Sequence, residues 1–282
     1  MKKLTKLMAL VMALAFAAAF MVGCSNNAAP AASDDAAADA TDAPASGSGA
    51  VDRIKEAGEL VMLTNAAFPP FEYLGADNQP AGVDVDIAKA VADELGVKLT
   101  VVDMDFDGIV AAIQTGKGDL GVAGMTATDE RRKAVDFSVN YVDAAQVIIV
   151  PKEGSTVQSA EDLAGKDVGV QSGTTGDLYV TDEVGANVFR YKTGADAAIE
   201  LANGKLAAVV LDEMPAKEIV AGNDKLMVLD TPLTEEQYAI AIAKGNDDLK
   251  AVVDSVVTKL LEEGKIDQWI DEHKQASDAL GE

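Results

Sequence analysis

The chain has 282 residues, which is room for one large or two ordinary domains. Its formal net charge of −24 disfavours nucleic acid and anionic lipid surfaces as partners. One cysteine, Cys24, and one histidine, His273, exclude an internal disulfide, a Cys/His metal site and a catalytic triad, because His273 is read as a solvated residue of a polar helix.

Met1-Lys2-Lys3-Leu4-Thr5-Lys6 is a basic start, and Leu7 to Val22 is an uninterrupted apolar run. The run is shorter than the roughly 20 residues that a spanning helix needs. It ends in Met21-Val22-Gly23-Cys24. A basic start, a short apolar core and a small residue before the cut describe a secretory signal. The glycine–cysteine end resembles a bacterial lipobox, which implies cleavage before Cys24 and a diacylated Cys24. A plain signal peptide or an anchor helix with an incidental cysteine is the alternative. Residues 1–23 are thus expected to be a signal peptide, and 24–50 a lipidated cysteine with a flexible tether. Ser25 to Gly49 has no large apolar residue and cannot bury enough surface to offset its ordering entropy. Two acyl chains hold a protein at a membrane where one is marginal.

From Val51 onward, short apolar runs alternate with helical patterns. Glu59 to Thr64 is expected to be a strand, Asp84 to Leu95 a helix stopped by Gly96, and Leu99 to Val102 a strand. A helix over Phe106 to Gln114, a strand over Leu120 to Ala123 and a helix from Asp129 follow. This β-α-β-α-β order favours a parallel sheet flanked by helices. A second set begins with Gln146 to Val150 and continues with strands Asp167 to Gln171, Val188 to Tyr191 and Ala207 to Leu211. Helices are expected after Gly173-Thr174-Thr175, over Ala195 to Ala202 and over Glu213 to Ala221. The tail offers one strand, Tyr238 to Ala243, and helices over Asp247 to Leu261 and Ile266 to His273. The expected architecture is α/β with two lobes, a hinge and a ligand cleft between them. Residues 51–144 and 233–282 are assigned to lobe I and 145–232 to lobe II.

Several stretches carry candidate chemistry. Thr128 is a candidate N-cap for a helix with Arg131 in its first turn. A cation there opposes the helix dipole, so Arg131 is read as serving a ligand carboxylate. Asp212 ends a strand and starts a helix, the place of a simple N-cap. Gly173-Thr174-Thr175-Gly176 before a helix is either an anion cradle or a tight turn. Gly124 and Thr126 offer close backbone approach and a hydroxyl. Phe71 is read as core, and Phe68, beside two prolines, as harder to bury; for Phe106 core and site remain open.

Together these stretches resemble the family 3 extracellular solute-binding proteins, the amino-acid-binding class. Gly82-Val83-Asp84-Val85-Asp86-Ile87-Ala88-Lys89 resembles the family signature. Phe68-Pro69-Pro70-Phe71-Glu72 and Asp105-Phe106-Asp107-Gly108 look like its aromatic loops. Ala123-Gly124-Met125-Thr126-Ala127-Thr128-Asp129-Glu130-Arg131 matches its carboxylate-binding segment. Gln171-Ser172-Gly173-Thr174-Thr175 and Leu211-Asp212-Glu213 match its second-lobe ligand loops. The likeness spans about Val51 to His273 and is nearest to glutamine-binding members.

The resemblance implies a binding protein, not an enzyme, that closes around a free amino acid and hands it to an ABC permease of the membrane, with no cofactor; a monomer is expected, since no coiled-coil pattern argues otherwise. It implies an extracytoplasmic location, at the cell surface or in a periplasm, held by the lipid alone. It implies that Arg131 takes the ligand carboxylate, Asp212 its ammonium, and that Phe68 and Phe106 pack on its side chain. Asn65, Gln171 and Leu211 map to positions that read the ligand side chain. None of these is charged, so a neutral ligand is expected, with glutamine first and aliphatic or aromatic amino acids open. A cyclodehydratase-like enzyme of the same fold, or a sensor module without a permease, are the rivals.

Overall fold

The computed structural model describes residues 49–281. The leader, Cys24 and all of the tether before Gly49 lie outside the described residues. Ala50, assigned above to the tether, instead opens the first helix, α1 (Ala50–Ala57), and is buried with Ile54.

In chain order α1 is followed by β1 (Glu59–Thr64) and a small hairpin sheet of β2 (Ala67–Phe68), β3 (Glu72–Leu74) and β4 (Pro80–Ala81). Next come α2 (Val83–Leu95), β5 (Lys98–Asp103), a 3₁₀ turn at Phe106–Gly108, α3 (Ile109–Gln114), β6 (Leu120–Gly121), α4 (Asp129–Ala134), β7 (Val135–Phe137) and β8 (Val142–Ala144). The second lobe contains β9 (Gln146–Pro151), β10 (Asp167–Gln171), α5 (Thr175–Tyr179), β11 (Asn187–Tyr191), α6 (Gly194–Ala202), β12 (Ala208–Asp212), α7 (Glu213–Ala221) and β13 (Leu226–Val228). The chain returns through β14 (Glu236–Tyr238) and β15 (Ala241–Ala243) to α8 (Asp247–Glu262) and α9 (Lys265–Gly281).

Spacing explains the helices. In α2, Val83, Ile87, Val91 and Leu95 recur every fourth residue and are buried. Gly96 then takes a left-handed φ of 73°, and its N–H bonds back to the carbonyls of Ala92 and Asp93.

Each lobe is built on a five-stranded sheet, in order β5-β1-β6-β15-β7 and β11-β10-β12-β9-β13. The central pairs are parallel, β1 with β5 and β6, and β10 with β11 and β12. The sheets are mixed rather than wholly parallel, because β15 runs antiparallel to β6 and β7, and β9 antiparallel to β12 and β13. Both faces are covered: Ile149, Val209 and Ala197 pack in one cluster, while Ile148, Val168 and Val210 pack in another.

The strand expected over Tyr238 to Ala243 is two strands. Tyr238 still pairs with Val142 of β8, whereas Ala241 pairs with Gly121 and Phe137 in the first sheet. Ala239 and Ile240 carry the chain from one ribbon to the other. The two crossings, β8 and β14, pair antiparallel with Glu236 opposite Ala144. β6 is shorter than expected because the chain leaves the sheet at Val122, on the way to a left-handed Gly124 with φ 51°.

His273 is not a solvated surface residue: its side chain is only 17% exposed. Its Nε2 lies 2.9 Å from Asp86 Oδ2, and its Nδ1 lies 3.0 Å from the Tyr73 hydroxyl. It joins α9 to α2 and to the hairpin sheet. No described helix is long and apolar enough to cross a membrane.

Candidate functional site

A small cavity lies between the two sheets. From the first lobe it is lined by Asn65, Phe68, Glu72, Phe106, Ala123, Gly124, Thr126 and Arg131, and from the second by Gln171, Thr174, Thr175 and Asp212. Every residue singled out for the ligand except Leu211 is brought together here, and Glu72 and Ala123 are added. Asn65 follows β1, Gln171 ends β10 and Asp212 ends β12, so the site sits at the carboxyl ends of parallel strands.

Arg131 is placed by its helix. Thr128 caps α4, its hydroxyl accepting the Arg131 N–H at 3.2 Å. The Arg131 guanidinium donates to the Thr126 carbonyl at 2.7 Å and, across the cleft, to the Gly173 carbonyl at 2.9 Å. It also lies 5.3 Å over the Phe106 ring. Burial lowers its pKa, and Asp212 and Glu236 oppose that shift. Phe106 therefore supports Arg131 as well as lining the cavity.

Asp212 stands at the start of α7, yet its side chain does not cap that helix. Its Oδ1 accepts the Tyr238 hydroxyl at 2.6 Å. Burial pushes its pKa up to about 6, against the hydrogen bonds of Tyr238 and Gln146. A buried carboxylate that is not spent on capping is free to meet a cation.

The remaining polar groups of the wall behave differently. Gln171 Nε2 donates to Asn65 Oδ1 at 2.9 Å, and Asn65 Nδ2 donates to the Met104 carbonyl at 2.9 Å. These two amides, expected to read an amide ligand, pair with each other across the cleft. Glu72, which the sequence reading quoted but gave no role, is 1% exposed, and its Oε2 has no hydrogen-bond partner among the described residues. Burial first, then Asp84, raises its pKa well above the carboxylate range, and the two carboxyl groups hydrogen-bond each other. Asp84 accepts the Gly124 N–H at 2.8 Å and the Tyr141 hydroxyl at 2.8 Å, and burial lifts its pKa to about 6. The missed signal is the hairpin: β2 and β3 place Glu72 directly opposite Phe68.

Gly124 has room for no side chain, since a Cβ there would lie 2.7 Å from Phe68 Cε1. The loop after β10, open between an anion cradle and a tight turn, spends two of its polar groups on the start of α5. The Thr174 hydroxyl accepts the Asp177 N–H at 3.1 Å as the cap of α5, and the Gly173 N–H donates to Asp177 at 3.0 Å. Leu211 does not line the cavity. Its side chain packs against Gly194, where an added Cβ would lie 2.6 Å from Leu211 Cδ1. Phe71 is fully buried core, as expected, in edge-to-face contact with Tyr238.

The sequence model of the bacterial extracellular solute-binding proteins, family 3, matches residues 60–275. The L-cystine-binding protein TcyJ of Escherichia coli is 29% identical over 77% of this chain and 83% of its own length. The arginine-bound, truncated form of ArgBP from T. maritima is 44% identical, with a TM-score of 0.72 over 74% of this chain and 99% of that one. The L-arginine-bound substrate-binding protein AbpA of an amino acid ABC transporter from Streptococcus pneumoniae is 37% identical, with a TM-score of 0.77 over 80% of this chain and 98% of that one.

Proposed function

Because this chain belongs to the bacterial extracellular solute-binding proteins, family 3, we propose that it is the substrate-binding component of an ABC importer and closes two lobes around a cationic L-α-amino acid, L-arginine first. One observation carries the choice of ligand: Glu72, a buried carboxyl group on the cavity wall with an unpartnered oxygen. The charged groups that act on it, Asp84, Asp212 and Asp103, are all carboxylates. A guanidinium supplies the missing counter-charge and pairs with a carboxylate bidentately. The neutral ligand expected from Asn65, Gln171 and Leu211 left Glu72 out of the sum. The arginine bound by the two solved relatives points the same way.

In this reading Arg131 takes the α-carboxylate and Asp212 the α-ammonium. Phe68 and Phe106 flank the aliphatic part, and Glu72 receives the guanidinium. Neither charge of the ligand backbone is buried unpaired. The lobes meet at residues 144–145 and 232–233, and hinge closure presents one surface to the permease. Cys24 is the lipidated N-terminus after removal of residues 1–23, residues 24–49 tether a monomer to the membrane, and a lipid-modified N-terminal peptide in mass spectrometry is the expected finding.

Titration calorimetry with L-arginine and L-citrulline, its neutral isostere, tests the ligand choice. Glu72→Gln is expected to weaken arginine by roughly 100-fold, about 3 kcal/mol, by removing the buried counter-charge. It should leave the weaker citrulline affinity nearly unchanged. An unchanged arginine affinity in this variant sinks the assignment.

A further inference from the structure

Glu236 lies in β14, on the return crossing between the lobes, and does not line the cavity. Its Oε2 accepts the Thr126 hydroxyl of the first lobe at 2.7 Å and the Thr175 hydroxyl of the second lobe at 2.7 Å. Its Oε1 accepts the Thr234 hydroxyl at 2.8 Å, and Thr234 in turn accepts the Gln146 N–H at 3.0 Å. One carboxylate on the return crossing thus joins both lobes. We propose that Glu236 is a positioning residue for ligand capture, which latches the closed lobes through Thr126 and Thr175 and fixes both hydroxyls as acceptors toward the ligand.

The second half of the proposal follows from proton counting. A threonine hydroxyl carries one proton and two lone pairs. Thr126 and Thr175 both give that proton to Glu236, so only lone pairs remain for the cavity. Thr175 spends one of these on Gln146 Nε2 at 3.1 Å. Hydroxyls held this way favour a donor, the α-ammonium, and disfavour the α-carboxylate, which is left to Arg131. Without Glu236 both hydroxyls rotate freely and present a proton to either group. The latch half follows from placement, because Thr126 and Thr175 belong to different lobes and Oε2 keeps both bonds only while the lobes stay together. Glu236 also acts on the electrostatics of Arg131 and Asp212.

The inference rests on the reading that the cavity binds an α-amino acid, and the test separates the two. A double-mutant cycle is run with L-arginine, or with whichever of the twenty amino acids shifts the melting temperature of the wild type most. Glu236→Ala is expected to raise Kd and the dissociation rate by about tenfold, the loss of hydrogen bonds to a charged group. In a Thr126→Val/Thr175→Val background the same change is expected to have less than about a twofold effect, since the groups it acts through are gone. The same factor in both backgrounds overturns the proposal and marks Glu236 as structural. If the alanine variant does not fold, Glu236→Gln, which keeps the shape, runs the same cycle. A wild type that binds no α-amino acid overturns the functional reading and the latch together. A wild type that binds while the two effects multiply overturns the latch alone.

Discussion

On the cavity wall Arg131, Asp212 and Thr126 set opposite charges and oriented dipoles toward one another. Elsewhere Glu72 and Asp84 press two carboxyl groups together, and every charged group that acts on Glu72, Asp212 included, is an acid. The first set is balanced within the protein and suits a zwitterion, which brings both signs. The second set is unbalanced and suits a ligand that brings one positive charge more. The α-amino-acid frame and the side chain are thus selected by different physics: charge pairing against the protein's own ion in one set, relief of a buried excess in the other.

The largest expected effect falls on the balanced set. Arg131→Ala is expected to cost about 3–5 kcal/mol, over roughly 100-fold in Kd, for every amino acid tested, because it leaves a buried carboxylate unpaired. Equal affinity by calorimetry would break the comparison at its stronger end.

Asp212→Asn separates stability from binding. Its carboxyl pKa, raised by burial from 3.8 to about 6, means that the folded chain holds this proton more tightly than the unfolded one. Its ionisation therefore lowers stability as pH rises from about 4 to about 6, and that cost is fully present at pH 7. The variant is expected to melt higher than the wild type without ligand at pH 7, by up to about 3 kcal/mol, and to lose amino-acid binding. A variant that melts lower and still binds contradicts both roles.

The same sign predicts a pH dependence of binding. The ligand cations need Asp212 and Glu72 ionised, so arginine affinity is expected to fall as pH is lowered through about 6, with protons released on binding at neutral pH. Calorimetry in buffers of different ionisation enthalpy reads that release. An affinity flat from pH 5 to 8 would remove the titrating carboxylates from the account.

The smallest effect lies outside the cavity. His273→Ala removes the partner of Asp86 and Tyr73 and is expected to cost about 1 kcal/mol of stability, with ligand affinity unchanged. A thermal melt together with one titration checks both halves.

The chain order of strands and helices was legible because apolar spacing in segments such as Val83–Leu95 is strong and glycines end them. The strand at Tyr238–Ala243 was not, because its split is set by two different partners, β8 and the first sheet, that local pattern does not reveal. Arg131 was singled out for a local reason, a cation in the first turn of a helix, whereas Asp212 looked locally like a simple N-cap and took its expected role only from the family resemblance; its side chain does not cap α7. Glu72 was hidden by the same locality, since only the pairing of β2 with β3 sets it opposite Phe68. His273 was misjudged because its neighbours in sequence are polar, while its partners, Asp86 and Tyr73, lie far back along the chain.

The most direct measurement is the affinity of the wild type for L-arginine against L-citrulline at pH 7, by titration calorimetry on protein refolded to strip any carried ligand. The account predicts arginine tighter by roughly 100-fold, the worth of one buried counter-charge of about 3 kcal/mol. Equal affinities, or a preference for citrulline or glutamine, would contradict the claim that the buried carboxyl of Glu72 chooses the ligand.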